Sequence, residues 1–433
     1  MATLQAFSEP PWVNQPSPFY NESHHRLRKW AIAWADKYLA PVAASWEASG
    51  KRDEAVFAQA GKDGILLAFA FGAKMDATAA AAAGVSPPAG IKPEEWDNFH
   101  DFVLIDSLCT VGSGSAFMSL HSGLAYGAGP IIHFGSPELK KRLLPDLLNG
   151  KQRISLAITE PNAGSDVANV GGTTAEKSKD GKHYIVSGLK KWITNGIYSD
   201  SFTVLARTSG KAGDPTGLSF LVVPRTEGVS TKQMAMVGAH ATGTTLVEMD
   251  EVKVPVENLI GKEGDGLKYC FYNFNHERLT IAFIALRYSR VCLEDAIAHC
   301  RRRIVFGKPL LEQPVVRHKF AHCAREVEAL QSWCETLTYE QQQLSTLEAN
   351  VRTGGRTALL KAHAGIVLEK TVRECTQQLG GMGITKGGAG GRIERIYREV
   401  HMLTIPGGAE NLLLDLGVRE ELKLVAKRQG HKL

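Results

Sequence analysis

The chain changes texture partway along, and this constrains its fold more than anything else in the sequence. From about residue 154 to 262 it breaks into short runs rich in Val, Ile, Thr and aromatics: "HYIVSGLKKWITN", "SFTVLART", "GLSFLVVPR" and "TTLVEMDEVKVP". Turn stretches such as "SKDGKH" separate them. Runs of this length and composition read as strands, and so many in succession imply a small barrel or a sandwich. On either side the pattern is helical. "ESHHRLRKWAIAWADKYLAPVAASWEA" spaces its apolar residues three and four apart, with charge on the other face. "SPELKKRLLPDLLNG" offers Ser136 as an N-cap and Gly150 as a stop. The stretch 73–96 reads either as a surface loop or as a helix extended by its alanines. From about 263 long apolar helices resume through "LKYCFYNFNHERLTIAFIALRYSRVCLEDAIAHCRRR".

With 433 residues, 44% hydrophobic and 22% charged, the chain has enough length for two or three domains and a large core. Its 50 basic and 45 acidic residues leave a net charge of +5, a mixed surface that excludes nucleic acid as the partner. No apolar run approaches the roughly 20 residues that span a bilayer. The seven cysteines form no CxxC pair, which points to free thiols in a reducing compartment and to no metal site. "MATLQAFSEPPWVNQPSPFY" has an acid and prolines but no early arginine, so it resembles neither a secretory signal nor a mitochondrial presequence. The last three residues, "HKL", resemble a degenerate peroxisomal tripeptide. The cytoplasm or the peroxisome is expected over the mitochondrion.

Two stretches of the β segment bear on chemistry. In "LAITEPNAGSD" (156–166), Gly164 and Ser165 follow a strand and form either a plain loop or one whose amides and hydroxyl face a ligand. In "KKWITNG" (190–196), Trp192 and Thr194 stand two apart, on one face of a regular strand. An indole wall beside a hydroxyl suits a flat, polar-edged ring, and a core tryptophan is the alternative. "GGMGITKGGAGG" (380–391) is no dinucleotide fingerprint, because its glycine spacing is wrong and a helical segment precedes it.

"AITEPNAGSD", "GLKKWITNG", "VPVENLIG", "HERL", "RRRIVFGKPL", "QQLGGMG" and "RIYREV" occur in an order and spacing that resembles the acyl-CoA dehydrogenases over essentially the whole chain. The resemblance implies an α+β architecture: an N-terminal helical domain (1–153), a central β-barrel (154–262) and a C-terminal four-helix bundle (263–433). It implies FAD, a homotetramer or dimer, and a role of the kind found in fatty-acid β-oxidation. Leu156, Ile158, Thr159 and Ser165 are expected to line the flavin, with Trp192 and Thr194 against its ring and Thr194 near N5. Arg303 and Phe306 are expected at the pyrophosphate and adenine of a neighbouring subunit's FAD, where Arg303 can meet a diphosphate bidentately, and Gln377 and Gly381 complete that contact. Arg301 and Arg302 read as a solvated helix end.

The chemistry so implied is α,β-dehydrogenation of an acyl-CoA thioester. A carboxylate takes the α-proton, the β-hydrogen leaves as hydride to flavin N5, and donors meet the charge on the carbonyl oxygen. An electron-transfer flavoprotein or oxygen then reoxidises the flavin. The family's usual base stands in a motif I-Y-E-G-T. Here the same place reads Ile405, Pro406, Gly407, Gly408, Ala409, so the carboxylate is missing. A subset resembling isovaleryl-CoA and long-chain acyl-CoA dehydrogenases instead carries the glutamate on a helix, directly before an arginine, as Glu277 precedes Arg278 in "NFNHERLTIAF". Glu277, among Phe274, Leu279 and Ile281, is the expected base, its pKa raised by burial. Gly407 leaves it room and offers an N–H to the thioester oxygen, and Gly408 lets the thioester chain pass. Asn275, Arg278 and Ser165 are expected near substrate. A structural Glu277–Arg278 pair on the helix surface is the alternative. Ala409 lacks a hydroxyl that the family often places near FAD, and Pro314 stands where many members have a cofactor-contacting glutamine. Two rival functions are nitroalkane oxidation, which needs an aspartate where Gly407 stands, and a flavin-binding scaffold without turnover.

Overall fold

A computed structural model describes residues 5–429. The "HKL" tripeptide lies outside them. Helices fill the chain up to Leu148, strands occupy 154–260, and helices resume at Gly266. Local chemistry sets the helix ends. Ser136 Oγ accepts from the Leu139 N–H at 3.1 Å and starts the helix Pro137–Leu148, as expected of an N-cap. Asp76 caps the alanine helix Ala77–Ala83, which Gly84 ends at φ +67°, and short 3₁₀ turns follow. The 73–96 stretch is therefore a brief helix inside a turn-rich connection. Asp97 caps the helix Asn98–Leu108 and also receives the rings of His24 (3.0 Å) and His100 (2.7 Å). Spacings this short are hydrogen bonds between capping groups, tighter than ligands around one metal ion stand.

Eight strands form one sheet: β1 (Ile154–Ala157), β2 (Thr174–Lys177), β3 (His183–Ile193), β4 (Ser201–Arg207), β5 (Leu218–Pro224), β6 (Val229–Gln233), β7 (Thr245–Pro255) and β8 (Leu259–Ile260). Their order is β6-β7-β3-β2-β4-β5-β8, with β1 parallel to β4 in the register Ile154↔Ser201 to Ala157↔Val204. The path ends at β6 and β8, so the expected barrel is an open sheet. β2 reaches β4 through a single residue pair, Thr174↔Arg207, and β3–β7 slips register twice. A ladder this interrupted bends the sheet without closing it. Every residue of β4 is buried. Val204 and Leu221 face a core internal to the sheet, while Leu205 and Phe220 join the main core with the helices.

Four long helices, Gly266–Arg302, Pro314–Gln342, Thr346–Leu379 and Glu410–Arg428, make the C-terminal part. The first runs 37 residues and is buried on nearly every side from Leu279 to Leu293 because other helices surround it. Arg287, 2% exposed, ties it to the N-terminal helices through Asp106, with Glu9 3.4 Å away. Removing one partner strands a buried guanidinium, whereas replacing the pair with apolar residues does not. Asp106→Ala is expected to cost about 3 kcal/mol in urea unfolding, and Arg287→Met with Asp106→Leu to cost far less.

Candidate active site

Three elements converge: the helix Gly114–Gly127, strand β1 and the helix Gly266–Arg302. A Cβ on Gly127 would stand 3.1 Å from the Leu156 nitrogen, so the helix end lies flat on β1. The Tyr126 carbonyl accepts from Asn273 Nδ2 at 3.3 Å, joining the same helix end to the one that carries Glu277.

After β1 the chain runs on through Ile158 and Thr159, and Lys191 N donates to Thr159 O at 2.9 Å. Buried Lys190 holds this segment from behind, donating to Ile158 O (2.7 Å) and Glu160 Oε1 (2.9 Å). Glu160 in turn accepts the amides of Gly171, Gly172 and Thr173. Burial pushes Lys190 down to about 8 against the pull of Glu160. Neither Lys190 nor Glu160 figures among the residues expected from sequence, because a lysine in a strand carries no local sign of burial. Next to this staple Trp192 takes φ +63° and leaves its indole 45% exposed. The register slip between Lys190 and Ile193 produces that conformation. Thr194 lies beyond the end of β3, so the strand alternation that placed Trp192 and Thr194 on one face does not operate here. An exposed indole held in left-handed backbone is strained and uncovered, and this rules out the core-tryptophan alternative. Leu156 is half-buried, Ile158 buried and Ser165 exposed.

The second half of the site joins the Gly266–Arg302 helix to the turn Thr404–Gly408. Glu277 is 8% exposed, and burial pushes its carboxyl up to about 7 against Arg278, Lys361 and His276. Its Oε1 lies 3.7 Å from where a Cβ on Gly407 would stand. That Cβ would meet Ile281 Cδ1 at 2.7 Å, and Gly407 sits at φ +69°, so the position admits only glycine without strain. Arg278 makes no ion pair with Glu277 among the described residues: its Nε donates to Gly407 O (3.1 Å), its Nη1 to Asn275 Oδ1 (3.2 Å), and its guanidinium lies 5.6 Å from the Phe274 ring. Both residues are buried, which excludes a surface pair. Asn275 spends its amide on Asn350, at 3.2 Å to O and 3.1 Å to Oδ1, so it orients Arg278 and is committed away from open space. Ala409 is the N-cap of the last helix and makes no side-chain cap. Lys361, absent from the sequence reading, donates to Thr404 O and Gly408 O, both at 2.7 Å.

Arg303, Phe306, Gln377 and Gly381 lie elsewhere. Arg303 stands twenty-six positions beyond Glu277 at the end of the same helix, about 39 Å along the axis, so one chain does not bring them to one site. All four are exposed, and Phe306 is 97% exposed at φ +50° in the tight turn between residues 304–305 and 308–309. Pro314 is exposed at the first turn of its helix.

Three family profiles match the chain: the acyl-CoA dehydrogenase N-terminal domain over 21–151, the middle domain over 155–252 and the C-terminal domain over 264–422. An acyl-CoA dehydrogenase of Emericella nidulans is 46% identical over 421 residues, 96% of this chain and 95% of that protein. Butyryl-CoA dehydrogenase of Megasphaera elsdenii superposes with a TM-score of 0.81 at 25% identity, covering 94% of this chain and 100% of that one. An acyl-CoA dehydrogenase of Bacillus anthracis, complexed with FAD, shares the fold at 23% identity and a TM-score of 0.84, covering 97% of this chain and 72% of that one. The groups present suit a flavin: an exposed indole in one region, and in another, for a second copy to use, an exposed arginine and phenyl with glycines 380 and 381, whose added Cβ atoms would meet nothing within 4 Å. Among the described residues no helix is long and apolar enough to cross a membrane.

Because the Glu277 carboxyl titrates near 7 when folded and near 4.3 when free, its ionisation costs the folded state nothing at low pH and its full amount above 7. Wild type is therefore expected to lose stability relative to Glu277→Gln as pH rises from about 5 to 8, by at most about 3 kcal/mol in urea titrations.

Proposed function

This chain belongs to the acyl-CoA dehydrogenase family, an FAD-dependent oxidoreductase, and on that premise we propose that it converts an acyl-CoA thioester to the trans-2-enoyl-CoA with Glu277 as base. The observation that carries this is the Glu277 carboxylate standing against Gly407, in the place where the turn carries no side chain of its own. When bound, FAD supplies the acceptor for the β-hydrogen. Leu156, Ile158, Thr159, Ser165, Trp192 and Thr194 would hold its ring end, with Ala409 beside it. Arg303, Phe306, Gln377 and Gly381 of a second copy would hold the diphosphate and adenine end. Reoxidation by an electron-transfer flavoprotein or by oxygen, a two- or four-chain assembly, and a place in fatty-acid β-oxidation belong to the same proposal.

A base that works near neutral pH needs a pKa near neutral pH. An ordinary glutamate is too weak for an α-proton, and burial strengthens this one. As the proton leaves, negative charge grows on the thioester oxygen. The Gly407 and Gly408 amides donate to no acceptor among the described residues and are free to meet it. Arg278 and Lys361 add positive charge behind the turn. Gly408 would let the thioester pass, and Ser165, which is exposed, would meet the substrate.

Nitroalkane oxidation would require an aspartate at 407, where a Cβ collides with Ile281 and the carboxylate would crowd Glu277. A scaffold without turnover leaves a buried carboxyl near 7 without a role. Purified protein mixed anaerobically with a panel of acyl-CoAs is expected to lose its oxidised flavin band with at least one of them, while nitroethane leaves it intact. Glu277→Gln should keep its flavin and reduce about 10³-fold more slowly. Reduction of the free wild-type enzyme should accelerate with pH up to about 7 and then level off, because the base must be ionised. Reduction of the glutamine variant at the wild-type rate would remove Glu277 from the role.

A further inference from the structure

Lys361 lies at the centre of the helix Thr346–Leu379 and is 1% exposed. A buried ammonium is costly unless its protons are satisfied. Among the described residues no carboxylate stands within ion-pair distance of it. Two main-chain carbonyls, Thr404 and Gly408, take its protons at 2.7 Å each. Those carbonyls flank the turn that faces Glu277. Arg278 Nε holds a third, Gly407 O, at 3.1 Å.

The helix comes close enough for this because its facing side is bare. Gly365 is one turn beyond Lys361, and a Cβ there would meet Thr404 Cγ2 at 2.9 Å. The Gly407 carbonyl that Arg278 holds shares its peptide plane with the Gly408 N–H, and the Gly407 N–H lies inside the segment that Lys361 clamps at 404 and 408; with Gly407 and Gly408 at φ +69° and +108°, neither glycine amide has an acceptor among the described residues. We infer that Lys361 is a positioning residue: its ammonium anchors the turn by the Thr404 and Gly408 carbonyls, keeping the Gly407 N–H presented to the thioester oxygen and a fixed positive charge behind the base. This rests on the assignment of Glu277 and Gly407 to the reacting centre.

The groups facing Glu277 are His276, Arg278 and Cys270 on its own helix, Tyr126 from Gly114–Gly127, and Lys361. Asp101 holds His276 at 3.0 Å. Glu410, from the last helix, acts on Lys361, which burial pushes down to about 8. Lys361 favours the ionised carboxylate, so its removal drives the Glu277 midpoint upward.

The test compares FAD-loaded, full-length wild type with Lys361→Met, Lys361→Gln and Lys361→Arg. Infrared pH titration follows the carboxyl band that Glu277→Gln abolishes and needs no substrate. Lys361→Met is expected to raise its midpoint by about one pH unit. Lys361→Gln should do the same while keeping one donor, which covers the case of a Met variant that does not fold. Lys361→Arg should leave the midpoint near wild type. Amide exchange in the peptide containing 404–409 should quicken about tenfold in the Met and Gln variants, with the helices Gly266–Arg302 and Thr346–Leu379 unchanged. With a reducing acyl-CoA, kcat should fall by about ten- to a hundredfold and KM by far less. An unmoved carboxyl midpoint with unchanged exchange in the turn overturns the inference. So does faster exchange spread across both helices, the mark of a residue that only supports the fold. If the midpoint and the turn shift as stated while no acyl-CoA reduces even the wild type, Lys361 keeps its role and the dehydrogenation reading is what fails.

Discussion

The site depends on how five residues, Thr404 to Gly408, are held. A glycine pair at positive φ has many conformations open to it, and nothing in the turn itself selects one. The selection comes from two buried cations on two different helices, Arg278 and Lys361, which take three of its carbonyls. Arg278, by fixing the Gly407 carbonyl, turns the Gly408 N–H of the same peptide the other way, and Lys361 clamps the segment that carries the Gly407 N–H between its two carbonyls. The same two charges stand beside Glu277, whose carboxyl would otherwise be still harder to ionise. Backbone direction and base strength are thus set by one pair of side chains.

The β side uses the same device. Lys190 is fully buried, donates to the Ile158 carbonyl and to Glu160, and so ties the segment after β1 to the strand that ends beside Trp192. Strain gathers at its margin: Trp192 and Asn195 both take positive φ without being glycine. Asn195 is repaid by hydrogen bonds, accepting from the Gly123 amide at 2.6 Å and donating to Thr242 O at 2.8 Å. Trp192 remains exposed with only the Lys191 ammonium 4.5 Å from its ring, and Phe306, at the far end of the long helix, is exposed at positive φ as well, as expected of surfaces awaiting a ligand or a second copy.

Much of the fold was legible because long periodic stretches identify themselves. The helical, β and helical thirds follow from apolar spacing, and Ser136 follows from cap chemistry. Sheet closure was not legible, since it depends on pairings between distant strands such as Thr174↔Arg207 that leave no local pattern. The one-face reading of Trp192 and Thr194 assumed an unbroken strand and failed at a bulge. Glu277 is legible through its neighbour Arg278 and the vacancy at 407, yet the bond that Arg278 makes to the Gly407 carbonyl is a tertiary fact. Lys361 belongs to no motif that the sequence offers. A signal did exist: Thr357, Ala358, Ala364 and Gly365, its neighbours three and four residues away, are all small and all buried, an unusual face for a solvated ammonium.

The central claim is that a carboxylate from one helix and an amide from a turn some 130 residues later meet the same thioester. A crystal structure of the FAD-loaded protein with an acyl-CoA analogue in which sulfur replaces the β-carbon measures this directly. The account requires the Glu277 carboxylate within about 3.5 Å of the analogue's α-carbon and the Gly407 N–H about 3 Å from its thioester oxygen. A bound analogue whose α-carbon faces another ionisable side chain, with Glu277 directed elsewhere, would contradict it.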